Sequence, residues 1–180
     1  MKTIHACNLV LLTALITLSI IVYPQLPDRI PLHFGAGGEA DAWGERTLLR
    51  WLLLPLIATG ICLLTYAGAW FSARDPKRVN MLDRKRLLQL PRESQLWVLQ
   101  GLANPLYIMA LVVNVSMCLF QYGAFRTAVD DSGRAAILAG LLLALLSGPF
   151  LLVGLLLSVQ KRLDRAWQQW VTAGRVADRA

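Results

Sequence analysis

The chain has 180 residues, 56% of them hydrophobic and 16% charged, with a mean hydropathy of +0.52. A soluble domain is about one quarter charged, and here the few charges gather in short stretches between long uncharged runs. That distribution excludes a soluble globular domain and describes one small integral membrane domain, in which lipid replaces much of the water-excluding core.

Four runs lack Asp, Glu, Lys, Arg and His: Asn8 to Tyr23, Trp51 to Phe71, Leu102 to Tyr122 and Ala136 to Val159. With a helical rise of about 1.5 Å per residue, about 20 residues cross a hydrocarbon layer about 30 Å thick. The last three runs meet that length directly. The first extends uncharged to Leu26, and Lys2 and His5 reach the interface by snorkelling. It is expected to be an uncleaved anchor, because Tyr23-Pro24-Gln25-Leu26-Pro27 stands where a small-x-small cleavage site belongs.

Basic residues set the expected orientation. Lys2, seven Lys and Arg between Arg74 and Arg92, and Lys161, Arg162, Arg165, Arg175 and Arg179 share one side, leaving Arg29, Arg46, Arg50, Arg126 and Arg134 on the other. The positive-inside bias puts both termini in the cytoplasm and exposes loops 24–50 and 123–134 outside. The net charge of +7 is then a topological bias with some attraction to lipid headgroups, and no nucleic-acid partner is expected. The expected organisation is 1–71 (helix, outer loop 24–50, helix), a basic cytoplasmic loop 72–101, helices within 102–159 and an amphipathic cytoplasmic tail 160–180. The fold class is all-α integral membrane: four transmembrane helices, N-in and C-in, with a short structured extracytoplasmic loop.

That first outer loop departs from a plain connector. Pro27 and Pro31 favour extended neighbours, and Ile30, Leu32 and Phe34 alternate with Pro31 and His33, which predicts a short extended segment. Gly35 to Gly38 form a flexible turn. If the turn folds back, Glu39, Asp41 and Glu45 bring carboxylates to His33, Arg46 and Arg50 pair with them, and Thr47 caps the second span.

Farther along, Tyr23, Trp51, Trp70 and Phe71 are placed as interfacial anchors. Pro55 and Pro149 should bend their helices. Asp75-Pro76 starts a short helix carrying Val79, Leu82 and Leu87 on the inner interface, and a second start at Glu93 or Ser94 leads into the third span, broken or bent near Asn104-Pro105. Thr13 with Thr17 and Asn114 with Cys118 read as interhelical contacts. Ala136, Gly140, Ala144 and Gly148 recur every four residues, so a helix is expected to approach that face closely. Leu163, Trp167, Trp170 and Val171 form the apolar face of a tail helix, on the inner leaflet or against a partner. The three cysteines support neither a disulfide framework nor a metal site. No ionisable residue lies at membrane depth, which disfavours a transporter or pump acting alone.

The string Leu26-Pro27, Ile30-Pro31-Leu32-His33-Phe34, Gly38-Glu39, Asp41, Trp43-Gly44, followed by an apolar helix with Leu54-Pro55-Leu56-Ile57, resembles the bacterial membrane family called domain of unknown function 1648. The resemblance covers about residues 8 to 71. That domain is the N-terminal part of SdpI-type toxin-immunity membrane proteins, and it implies a bacterial cytoplasmic membrane and four or more helices without an established chemistry. The second, C-terminal domain of the full immunity proteins is not expected in this chain.

Three roles compete for the loop. In the first, Glu39 and Asp41 accept backbone hydrogen bonds in a Gly-rich turn, Trp43 lies on the interface and His33 is a hydrogen-bonded spacer. In the second, His33, Phe34, Gly38, Glu39, Asp41, Trp43 and Gly44 contact an extracytoplasmic peptide or toxin, since mixed aromatic and carboxylate groups suit a cationic peptide. In the third, His33, Glu39 and Asp41 hold a divalent ion or do catalysis, although neither a second histidine at ligand spacing nor a nucleophile with its base is visible. The expectation is a non-enzyme without metal or cofactor. Its partners are the lipid bilayer and a peptide toxin or membrane protein, the alternative role being an accessory subunit of a transport or signalling complex.

Overall fold

An apolar run in lipid must satisfy its backbone polar groups internally, and the helix does so within one segment. The computed structural model describes residues 2–72, 74–76 and 83–177, with side chains through 174. Its elements are α1 (Lys2–Val22), a 3-10 turn (Tyr23–Gln25), β1 (Arg29–Phe34), β2 (Ala40–Glu45), α2 (Leu48–Trp51), α3 (Leu53–Ser72), α4 (Arg84–Gln89), α5 (Arg92–Asp130) and α6 (Arg134–Ala177). Among the described residues four helical stretches are long and apolar enough to cross a membrane: Lys2–Gln25, Leu53–Ser72, Arg92–Asp130 and Arg134–Gly174. The fold is mostly helical but not all-α, because residues 29–45 form an antiparallel hairpin. Two compact units divide the chain, Met1–Leu63 with Met109–Gly148 and Leu64–Ile108 with Pro149–Ala180.

In the first unit, α5 runs on to Asp130, so most of the 123–134 segment expected as a loop is helical. Its charges are used in ending that helix. Arg126 pairs with Asp130 one turn later at 2.5 Å, and Asp130 accepts from the Ser132 amide and hydroxyl. Asp131 takes the left-handed conformation (φ 56°) that closes helices, leaving three residues before α6.

A proline removes the donor for the carbonyl four residues earlier. Pro55 therefore frees the Trp51 carbonyl, and the helical interruption falls at Leu52, between α2 and α3. Gln121 of α5 supplies the missing donor, Nε2 to the Trp51 oxygen at 3.2 Å. The Trp51 indole donates to the Ser19 carbonyl of α1 at 2.8 Å, and the ring is buried with Leu26, Ile30 and Ala124. Trp51, expected as an interfacial anchor, is instead the joint of α1, α2 and α5. Thr47 caps α2 as expected, accepting from the Arg50 amide at 3.3 Å.

In the second unit α5 starts at Arg92 and runs without a break through Pro105, as α6 does through Pro149. The Gly101 carbonyl freed by Pro105 accepts from the Ser158 hydroxyl at 3.4 Å. The tail is the continuation of α6, not a separate interfacial helix. Leu163, Val159 and Ala166 are buried with Leu87, Leu90, Val98 and Leu99, and Trp167 packs against them. A helix of 44 residues is about 66 Å long, well beyond a bilayer, so its amphipathic end is covered by α4 and the start of α5. Arg86 ties this cluster together, bonding Asp164 at 2.9 Å and lying 5.0 Å over the Trp167 ring. The helix expected after Asp75-Pro76 is described only from Arg84. Val79 and Leu82 lie outside the described residues, and Leu87 is a core residue here.

Replacing Gln121 by Leu should leave the Trp51 carbonyl unpaired and lower stability by about 1 kcal/mol, up to about 3 where the site is fully dry. Adding Pro55→Ala restores a backbone donor to the same oxygen. The double variant should recover part of the loss, which thermal unfolding in detergent would read.

Candidate functional site

The hairpin pairs Arg29 with Glu45, Ile30 with Gly44, Pro31 with Trp43, His33 with Ala42 and Phe34 with Ala40, with register shifts on either side of His33. Its turn is closed by the Gly38 amide on the Gly35 carbonyl and the Gly35 amide on the Glu39 carbonyl, both at 2.9 Å. Gly38 has φ +82° and is buried against α6, where a Cβ would meet Leu138 at 3.0 Å and the Arg134 carbonyl at 3.2 Å. Only glycine suits both conditions.

Apolar burial holds the base of the hairpin. Ile30 is buried with Leu26, Trp51 and Ala124, and Phe34, Val22, Tyr23 and Phe125 pack around them. Three arginines strap the rest. Arg46 donates to the Leu26 carbonyl at 2.7 Å and lies 5.4 Å over the Tyr23 ring, and Arg50 donates to the Glu45 carbonyl at 3.0 Å. At the tip, Arg134 binds the Gly37 carbonyl through Nε and Glu39 Oε1 through Nη2, each at 2.8 Å. Arg46 and Arg50 were expected to pair with the loop carboxylates. They instead take backbone carbonyls, Arg46 reaching only Asp28 at 4.0 Å, because Glu39 turns toward α6.

Each residue singled out in the loop now has a place. His33 Nδ1 and Asp41 Oδ1 lie 2.6 Å apart on the outward face, with side chains 69% and 53% exposed. Trp43 is 38% exposed on the neighbouring strand, while Phe34 is half-buried in the base cluster. Glu39 is exposed but tied to Arg134. Gly38 and Gly44 serve close packing, a Cβ at Gly44 colliding with Leu32. The arrangement presents a paired imidazole and carboxylate, and an exposed indole on β2, on a pinned support. Among the described residues no three His, Cys, Asp or Glu side chains are grouped to hold a metal ion.

The small-residue face of α6 divides in two. Gly140 is buried, with Ser116, Leu119 and Phe120 of α5 within 3.4 Å of a Cβ added there; Ala136 is half-buried; Ala144 and Gly148 are exposed. A closer approach lies at Gly123 and Gly133, where a Cβ on Gly133 would overlap the Gly123 carbonyl and the Thr127 hydroxyl. Sequence reasoning missed this pair because Gly123 lies inside α5 and Gly133 in the turn before α6, with no shared periodicity to link them. It also missed Asn8, whose Oδ1 accepts from Asn114 Nδ2 at 2.8 Å, and Gln121, Ser19 and Arg134. Trp51 followed four residues later by proline is the local signal that would have flagged the free carbonyl. Cys118 Sγ reaches the Leu11 carbonyl at 4.0 Å, whereas Thr13 and Thr17 are exposed.

Membrane-length helices with a hairpin inserted after the first define a helical protein of the multi-pass membrane class. Residues 9–59, from α1 through the hairpin into α3, match the family described as Domain of unknown function (DUF1648), and the chain carries that domain. The matched segment contains Trp51, Pro55 and the whole hairpin; Gln121 and Arg134 lie beyond it. An uncharacterized protein of Archaeoglobus fulgidus is 27% identical over 134 residues, which cover 72% of each chain. No solved structure matches the chain.

Two outcomes check this geometry. Gly133→Ala should destabilise by about 1–3 kcal/mol through overpacking, while Gly148→Ala, with nothing within 4 Å, should not lower the melting temperature. Arg134→Ala should release the turn, raising amide exchange at Gly35 and Gly38 about twofold to fivefold, the scale of an exposed ion pair, with the α1 and α5 amides unchanged.

Proposed function

We propose that this chain is a non-catalytic protein of a cytoplasmic membrane, with both termini inside, whose extracytoplasmic hairpin recognises a cationic membrane-active peptide in an immunity-like role. The observation that carries the reading is the contrast within the hairpin. Its base and tip are held by buried apolar contacts and by Arg46, Arg50 and Arg134, while the side chains of His33, Asp41 and Trp43 are exposed, His33 and Asp41 pairing with each other across the two strands. A rigid support for exposed aromatic and charged groups lowers the ordering cost of binding. Asp41 attracts a cationic partner and Trp43 supplies a contact surface of low conformational entropy. The DUF1648 match spans this hairpin, and the analogy to immunity proteins rests on the sequence resemblance alone.

An accessory-subunit reading has one observation in its favour. Ala144 and Gly148 continue the small-residue face of α6 beyond its contact with α5 and are left exposed. A stoichiometric membrane partner that co-purifies regardless of hairpin substitutions, and is lost on Gly148→Leu, would favour it.

The deciding comparison is survival of cells expressing the wild type or His33→Ala/Asp41→Ala, at matched membrane levels, against secreted cationic peptides. Recognition requires protection by the wild type that the variant loses. Absence of protection by either removes the immunity role. The orientation is read separately: with the native cysteines replaced, Ala36→Cys should react with an impermeant maleimide in intact cells.

A further inference from the structure

Beneath β1, within the first unit, lies an open groove of about 530 Å³. Ile30 to Phe34 form one wall, and the start of α3, the 117–124 stretch of α5 and Leu141 of α6 form the others. Most of the lining is hydrocarbon, with Leu53, Leu54, Met117, Phe120 and Leu141 contributing large side chains. Its polar lining groups are not equivalent. Gln121 is committed to the Trp51 carbonyl and His33 to Asp41. Arg50 keeps most of its five donors, since among the described residues its guanidinium bonds only the Glu45 carbonyl and faces no carboxylate within ion-pair distance. A smaller groove of about 290 Å³ between α1 and α5 shares Trp51 and Gln121 as a wall but has no cationic residue in its lining.

A guanidinium without a carboxylate is matched by a phosphate oxyanion, and a long apolar lining is matched by an alkyl chain. Arg50 stands three residues before Leu53, where the apolar α3 begins, so the two requirements meet at the depth where one lipid molecule supplies both. We propose that the groove binds a single anionic phospholipid, its phosphate on Arg50 and one acyl chain along Leu53, Met117, Phe120 and Leu141. Bulk lipid solvation would not select a headgroup; a cation fixed at the groove does. This inference goes beyond the peptide reading and does not rest on it: Asp41 and Trp43 lie outside the groove, and His33, which lines it, takes no part in holding the lipid.

The test uses the full chain in neutral detergent, offered equal amounts of phosphatidylglycerol and phosphatidylcholine, with retained lipid counted by native mass spectrometry. The wild type should retain phosphatidylglycerol about tenfold over phosphatidylcholine, whose quaternary ammonium offsets the phosphate charge and is repelled by Arg50. Arg50→Gln should bring the two lipids level. Leu141→Trp, which keeps Arg50 and narrows the apolar part, should reduce retention of both, and so decides the matter even if Arg50→Gln folds poorly. Equal retention by the wild type would mean unselective annular lipid and overturn the proposal. So would unchanged retention in Leu141→Trp, or displacement by glycerol 1-phosphate at equal concentration, which would mark a free-phosphate site.

Discussion

A proline in a membrane-length segment leaves a carbonyl without its donor, and hydrocarbon offers no water to replace it. At Pro55 that carbonyl belongs to Trp51, and meeting its need organises the first unit. Gln121 comes from α5 to the oxygen, the Trp51 indole reaches α1 at Ser19, and the buried ring becomes the floor on which Leu26 and Ile30 seat the hairpin. One local deficit thus brings together segments 32 and 70 residues away from Trp51 in sequence. The same solution recurs at Pro105, whose freed Gly101 carbonyl is met by Ser158 in the second unit.

The hairpin built on this floor divides its chemistry by direction. Inward-facing groups hold it, and Arg46, Arg50 and Arg134 each place a donor on a carbonyl at the ends or the turn of the hairpin. A two-stranded sheet is at best marginally stable by itself in water, so the helices beneath are a condition of its existence. What stays exposed, the His33–Asp41 pair and Trp43, is tied to no helix beneath it among the described residues. This division is the physical ground for reading the face as a recognition surface.

The second unit answers a different constraint. A 44-residue helix outlasts any bilayer, and the part beyond it meets water with an apolar stripe. Leu163 and Trp167 are covered by Leu87, Val98 and Leu99 from the same unit, while Arg86 and Arg162 lie over Trp167 and Trp97. Basic residues that look in sequence like a lipid-facing patch are partly engaged in ion pairs and ring contacts.

Run length and charge placement alone determined the four membrane-length helices, the residues separating them and the presence of a patterned segment between the first two, because these follow from hydropathy and proline chemistry within a few residues. Thr47 as a helix cap and the Gly35 to Gly38 turn were legible for the same reason. The tertiary structure decided the rest. Glu39 finds its cation at Arg134, Trp51 is buried instead of interfacial, the turn before α6 presses Gly133 against Gly123 of α5, and the tail's apolar face is covered by its own chain. Each outcome depends on groups brought together from distant parts of the chain, where unmet hydrogen bonds, steric fit and uncovered apolar surface are settled between elements and leave no periodic trace in either one.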